Sequence, residues 1–288
     1  MTDSDLLPVA AYSDPKAFQA ERRGLFGRGW HPVAPLAALS QPGAYVALGY
    51  GGHPVFAMTG DDGTPRVFKN VCAHQQMPVL DNGRGVCERL RCRFHGWTYD
   101  RAGVLVSAPP PVAPDGDLSD HPLDRCPSET TAALLCAAFE PDPPPFEVAA
   151  WAAADRLADL ALTGSQSAAL AVNWKAVADK DVGESGLAGE SDLAWHWMPP
   201  ATGLVSTDET AVLLQVVART FRKTELHWHV FAGAAAAPDW AGPWIESLSA
   251  AAEARATAIA DGTIPAVTDP DALADLHGLI AAATADGS

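Results

Sequence analysis

The chain has 288 residues, 48% of them apolar, enough to bury a core and to fill two domains. Its formal charge of −16, with only 19 Lys and Arg, excludes the basic face that nucleic acid or an anionic membrane surface requires. An acidic surface of this kind suits a basic redox partner, or solubility alone. The start, Met1-Thr2-Asp3-Ser4-Asp5, is acidic and has no apolar h-region. No apolar run reaches the roughly 20 residues that span a bilayer, so the expected location is the cytoplasm.

Ser13-Asp14-Pro15 places a capping side chain before a proline in the first turn, which predicts a short helix with Phe18, Leu25 and Phe26 on its apolar face. Beyond Trp30, the runs Tyr45–Leu48, Val55–Met58 and Val67-Phe68 are β-like and are separated by Gly-Gly and Asp-Asp-Gly turns. This is the texture of a small antiparallel sheet domain. Asp100–Gly103 turns the chain into another strand, and Pro109-Pro110-Pro111 with Pro114 predicts the domain exit near 115. Phe146 to Leu162, rich in alanine, reads as a helix. Leu193–Met198, Ala211–Ala218 and Glu225–Ala232 read as strands of one sheet, with Trp240–Ile259 as a helix packed on it.

Two short segments carry the chemistry. Cys72-Ala73-His74 and, after a 17-residue spacer, Cys92-Arg93-Phe94-His95 form C-x-H…C-x-x-H. A tetrahedral zinc site is the bland alternative, but zinc patterns usually pair Cys with Cys and His with His, whereas here each segment carries one of each. The pattern is the ligand set of a Rieske 2Fe-2S centre, in which two thiolates hold one iron and two imidazoles the other. With Gly96-Trp97-Thr98-Tyr99 following, the run resembles the C-x-x-H-G-W-x-Y segment of Rieske non-haem iron (ring-hydroxylating) oxygenase α subunits. The extra cysteines and the serine of the respiratory-type Rieske proteins are absent; Met77, Phe94 and Trp97 hold those places. That implies a low-potential centre. The family's Arg-Gly after the first histidine is Gln75-Gln76 here. Of the remaining cysteines, Cys87, Cys126 and Cys136, the last lies in an apolar run and reads as a buried free thiol; an odd remainder gives no disulfide framework.

The resemblance implies an α+β protein: a lead-in over 1–29, an antiparallel-β Rieske 2Fe-2S domain over 30–115, and a shortened, helix-grip-like catalytic domain over 116–288. In the second half, Asn173-Trp174-Lys175 matches the N-W-K that opens the family's iron-binding helix. Counted without gaps, the family's bridging carboxylate and two iron-binding histidines then fall on Gly183, Gly186 and Ser191, none of which ligates iron as required. The third ligand, a carboxylate, would be sought around Glu253 to Asp261, where there is no clear counterpart. A 2-His-1-carboxylate triad leaves Fe(II) open positions for oxygen and substrate, so a mononuclear iron is expected to be absent.

Possible substitutes are the acidic stretch Asp179, Asp181, Glu184, Glu190 and Asp192 and the histidines His196, His227 and His229. Asp181 or Glu184 could take the bridging role, and His196, His227 and an acid could form a relocated metal site. The bland reading makes them a solvated loop and sheet-face histidines. The expected function is electron transfer: Cys72 and Cys92 hold the inner iron, His74 and His95 the outer, reducible one. A reductase or ferredoxin would donate electrons, and an intact catalytic Rieske oxygenase subunit would receive them in a hetero-oligomeric ring. The alternatives are a complete hydroxylase or demethylase with relocated ligands, and a free electron carrier or regulatory Rieske protein.

Overall fold

The computed structural model describes residues 9–178, 182, 187, 193–198, 200–233 and 240–261. The chain opens with α1 (Val9–Ser13) and α2 (Pro15–Glu21), where Asp14 accepts the Lys16 amide at 2.8 Å as the cap and Pro15 starts the helix. A π turn over Arg22–Phe26 follows, burying Leu25 and Phe26.

β1 (His31–Pro35) then leads into the four-stranded antiparallel sheet of β2 (Ala44–Tyr50), β3 (His53–Thr59), β4 (Pro65–Lys69) and β5 (Gly83–Val86), in the order β4-β3-β2-β5. Gly51 and Gly52, both at positive φ, make the two-residue β2–β3 turn; a Cβ on Gly51 would lie 2.5 Å from the Phe26 ring, so only glycine fits. A second small sheet holds β6 (Leu90–Arg91), β7 (Thr98–Tyr99) and β8 (Leu105–Ser107). The packing carries past the expected exit at 115. Leu123 joins the core beneath these sheets, Lys69 N–H donates to Asp124 O and Cys126 N–H to Val67 O, before β9 (Ser128–Thr130) and β10 (Leu134–Ala137) return to pair with β1.

Phe146–Leu162 is not an α-helix: Val148–Asp159 is 3₁₀, and its buried side chains Trp151, Ala154 and Leu157 recur every third residue, the period that eclipses on a 3₁₀ turn. The second domain is a five-stranded antiparallel sheet of β11 (Ala161–Leu170), β12 (Ala194–Met198), β13 (Thr202–Ser206), β14 (Thr210–Thr220) and β15 (Lys223–Ala232), ordered β11-β15-β14-β13-β12. Its helices described in full are α3 (Trp174–Val177) and α4 (Ala241–Ala260).

Alternation along β14 shows how the halves meet. Val212, Leu214, Val216 and Ala218 enter the core under α3 and α4, with Trp174, Trp244, Ile245 and Leu248. Leu213 packs toward the 3₁₀ segment and β10, and Val217 joins the core of β1–β4. One sheet face is thus helical and the other is the Rieske side. Among the described residues no helix is long and apolar enough to cross a membrane.

Candidate iron–sulfur centre and the second-domain face

The segments 72–77 and 92–97 fold into two matching loops. In each, the cysteine amide donates to the carbonyl five residues on (Cys72 to Met77 at 2.8 Å, Cys92 to Trp97 at 2.9 Å), and the amide four residues on donates back to the cysteine carbonyl (Gln76 at 2.9 Å, Gly96 at 3.0 Å). That corner needs positive φ. Gly96 supplies it at +75° without a steric penalty, whereas Gln76 holds +55° with a side chain.

The loops bring Cys72, His74, Cys92 and His95 together. Both thiols are 2% exposed, sit near one another, and share a core with Phe56, Phe68, Leu90, Trp97 and Leu105. The His74 and His95 rings are 4.7 Å apart, half-buried at the tip. His74 Nδ1 is buried with no hydrogen-bond partner. Two buried thiols, two adjacent imidazoles and an orphaned ring nitrogen fit a 2Fe-2S cluster held two ligands per iron.

The supports around these side chains are less visible in the sequence. Tyr99 hydroxyl lies 3.1 Å from Cys72 Sγ and accepts the Ala73 amide at 3.1 Å; burial raises its pKa, so it stays a phenol able to donate to a thiolate. Trp97 stacks on His74 at 5.0 Å and is pinned by its indole N–H to Val112 O at 2.8 Å. Asn70 fixes the exit of the first loop, its Oδ1 accepting the Val79 and Leu80 amides and its Nδ2 donating to Leu80 O. Arg93 of the second loop pairs at the surface with Asp81, beyond the end of the first. Around the histidine pair Phe94 is 61% exposed and Met77 36%, an apolar rim. All five cysteines are free; burial raises the pKa of Cys126 to about 12 and that of Cys136 higher still, keeping both as thiols.

In the second domain, Asn173 caps α3 by accepting the Lys175 amide and ties it down by donating to Tyr12 O and Phe221 O. Trp174 Nε1 donates to one oxygen of Glu21 at 2.8 Å and Lys175 Nζ pairs with the other at 2.7 Å, with both charges buried. In this structure the N-W-K run anchors the N-terminal helices. Val182 is buried and Leu187 half-buried. Gly183, Gly186, Ser191 and the acids Asp179, Asp181, Glu184, Glu190 and Asp192 lie outside the described residues.

The relocated site built from His196 and His227 is not assembled. His196 sits on edge strand β12 and His227 on β15, with β13 and β14 between them. Three strand spacings are about 14 Å, too far for one ion. His227 bonds Glu225 at 3.2 Å, and both face the Rieske side, opposite α3. Glu253, on α4, is exposed. Among the described residues no three His, Cys, Asp or Glu side chains converge on a single ion. A Rieske centre, which needs only two protein ligands per iron, does not require such a convergence.

The arrangement is that of a Rieske-type iron–sulfur site on an α+β fold like that of the oxygenase α subunits. Residues 29–125 match the Rieske [2Fe-2S] domain family, and the matched parts of the chain are homologous to the glycine betaine monooxygenase oxygenase subunit and to ring-hydroxylating dioxygenase α subunits. It is 28% identical over 180 residues to the glycine betaine monooxygenase oxygenase subunit of Chromohalobacter salexigens, covering 61% of this chain and 40% of that protein. It is 35% identical over 98 residues to the chlorobenzene dioxygenase α subunit of a Cupriavidus species, 34% of this chain and 22% of that one. The matched segments thus span two fifths or less of these relatives. Among solved structures, the apo form of the quaternary ammonium Rieske monooxygenase CntA superposes with a TM-score of 0.78 at 18% identity, over 97% of this chain and 95% of that one. Naphthalene 1,2-dioxygenase with bound indole gives a TM-score of 0.63 at 16% identity, over 98% and 80%.

Proposed function

We propose that this protein is the electron-transferring Rieske subunit of an oxygenase system, with Cys72, His74, Cys92 and His95 holding the cluster and no mononuclear iron triad of its own. The cluster supplies single-electron transfer. The protein sets its surroundings through the buried thiol core, the Tyr99 hydroxyl on Cys72 and the half-buried histidine edge. In this reading a reductase or ferredoxin in the cytoplasm donates, and a catalytically intact Rieske oxygenase subunit in the same hetero-oligomer accepts. The observation that carries it is the absence of histidine where the family's iron ligands would follow N-W-K. Residues 173–192 contain none, while His227 and His229 line the Rieske side of the sheet and His196 lies on edge strand β12. The α3 face is packed with apolar side chains, including Trp174, Trp228 and Trp244 and the half-buried Trp195 and Trp197.

Near-complete superposition on a monooxygenase favours a second reading, a complete oxygenase. Its substrate space would be the cleft of about 760 Å³ between the β11–β15 face and α4, where Trp228, Glu246 and Glu253 offer an aromatic face and two carboxylates to a quaternary ammonium group. Anaerobic reduction followed by exposure to oxygen, with glycine betaine or carnitine present, separates the two. The electron-transfer reading expects the purified chain to take up electrons and release no oxidised product until a catalytic subunit is added; product from the chain alone contradicts it.

A further inference from the structure

A line of hydrogen bonds crosses between the two domains, and its proton order follows from one atom. The Pro32 carbonyl can only accept. It lies 2.6 Å from the Gln215 side-chain amide and 2.9 Å from the Tyr50 hydroxyl, so both must donate to it, and Tyr50 in turn accepts from Gln215 at 3.1 Å. Turning the Gln215 amide over would press its oxygen against a carbonyl with no proton between them. Gln215 Oε1 therefore faces His229 Nε2, 3.0 Å away, and Nε2 must carry the ring proton. Nδ1 is then a lone pair, 2.8 Å from Ser165 Oγ, so Ser165 donates to it. The Ser165 oxygen finally accepts from Arg84 Nη1 at 2.9 Å.

Every donor in this line meets an acceptor in that order. An Nδ1–H tautomer would leave Nε2 and Gln215 Oε1 facing each other as two acceptors. An imidazolium would orphan the Ser165 proton and place a charge in a site 5% exposed, facing Arg84 and His227, with Glu225 turned to His227 instead. Burial, then His227 and Arg84, hold the His229 pKa down to about 3, in accord with this geometry.

Both ends of the line belong to the Rieske domain, Arg84 on β5 and Pro32 with Tyr50 on β1 and β2. The middle belongs to β11, β15 and β14. We infer that Ser165, His229 and Gln215 are positioning residues that staple the cluster-bearing domain to the second-domain sheet, with His229 locked as its Nε2–H tautomer and withheld from metal binding and proton transfer. Rocking of the Rieske domain on the sheet would break at least one of the three bonds that cross between them, Arg84 to Ser165, Gln215 to Pro32 and Gln215 to Tyr50.

Long-range ¹⁵N–¹H correlation spectra of the histidine-labelled full chain with its cluster oxidised test the assignment directly. The result expected is a protonated Nε2 and a bare Nδ1 for His229 from pH 8 to pH 5; an imidazolium or an Nδ1–H tautomer in that range overturns it. The staple is tested by amide exchange in Ser165→Ala and Gln215→Leu. Each should speed exchange in both β1–β2 and β5 by about tenfold, as expected for about 1.4 kcal/mol of lost local stability, with the cluster absorption retained. Exchange that rises only at the substituted strand contradicts the staple, and the same spectra on the unsubstituted chain stand whether or not a variant folds.

Discussion

The Rieske domain and the second domain use sequence in opposite ways. The candidate cluster ligands come from two loops of six residues, each closed by its own backbone bonds and resting on a core that includes the two cysteines. Their chemistry is local, so it survives wherever the loops survive. A mononuclear site of the family type would draw ligands from an early helix and a late one, and here the helix-facing side of the sheet carries tryptophan and aliphatic side chains around the cleft against α4. Dispersed sites are lost by a few substitutions while the fold persists, because the sheet and its packing do not depend on them.

That contrast can be broken or sharpened experimentally. The largest effect is expected at the tip of the Rieske domain: His95→Ala should remove the Rieske absorption and the low-field EPR signal altogether, and a variant that retains both would dissociate the loops from the cluster. In the second domain the largest effect should be structural. Glu21→Gln leaves Lys175 buried without its counter-charge and should cost about 3–5 kcal/mol in urea unfolding. The double variant Glu21→Gln/Lys175→Met should recover most of that loss, as expected if N-W-K serves as an anchor.

Acid should weaken the junction between the halves. His31, packed against Phe26, Tyr50 and Phe139, is held down to about 3 by burial, which the nearby Leu25 and Phe26 carbonyls only partly offset, and His229 is held similarly low. Both are neutral when folded and titrate near 6.5 when unfolded, so the unfolded state binds more protons between about pH 6.5 and 3. Their stabilisation is complete above pH 6.5 and falls below it, by up to about 1.4 kcal/mol per pH unit for each histidine. Urea midpoints flat from pH 7 to 5 would contradict the neutral burial of these rings.

Two smaller effects belong to the loops. Tyr99→Phe removes a donor to Cys72 Sγ and with it preferential stabilisation of the reduced, more negative cluster; the potential should fall by on the order of 50 mV, read by titration of the visible spectrum. Gln76→Gly relieves a side chain held at positive φ and should stabilise the loop by roughly 0.5–1 kcal/mol, whereas Gly96→Gln at the matching corner should destabilise it.

Much of the Rieske half was legible because its signals are short-range: the paired Cys and His, the Gly-Gly hairpin, the Asp14-Pro15 helix start. In the other half, three strands with β-branched or aromatic residues were readable, but β13 was not, nor was β11. Its sequence, Ala161–Leu170, is small and polar with a single β-branched residue, and it becomes a strand only by pairing with β15. The proline-rich stretch near 110 looked like a domain exit because prolines mark turns, yet Leu123 and Cys126 still pack beneath the Rieske sheets. Glu21 meeting Lys175, and Pro32 meeting Gln215, span more than 150 residues each. No local pattern announces contacts of that kind.

The most direct test of the central claim is iron and acid-labile sulfide per chain on anaerobically purified protein, with EPR of the dithionite-reduced form. About two irons for two sulfides with a Rieske signal is the predicted result. About three irons for two sulfides would place a metal in the second domain and contradict the claim that this chain works through its cluster alone.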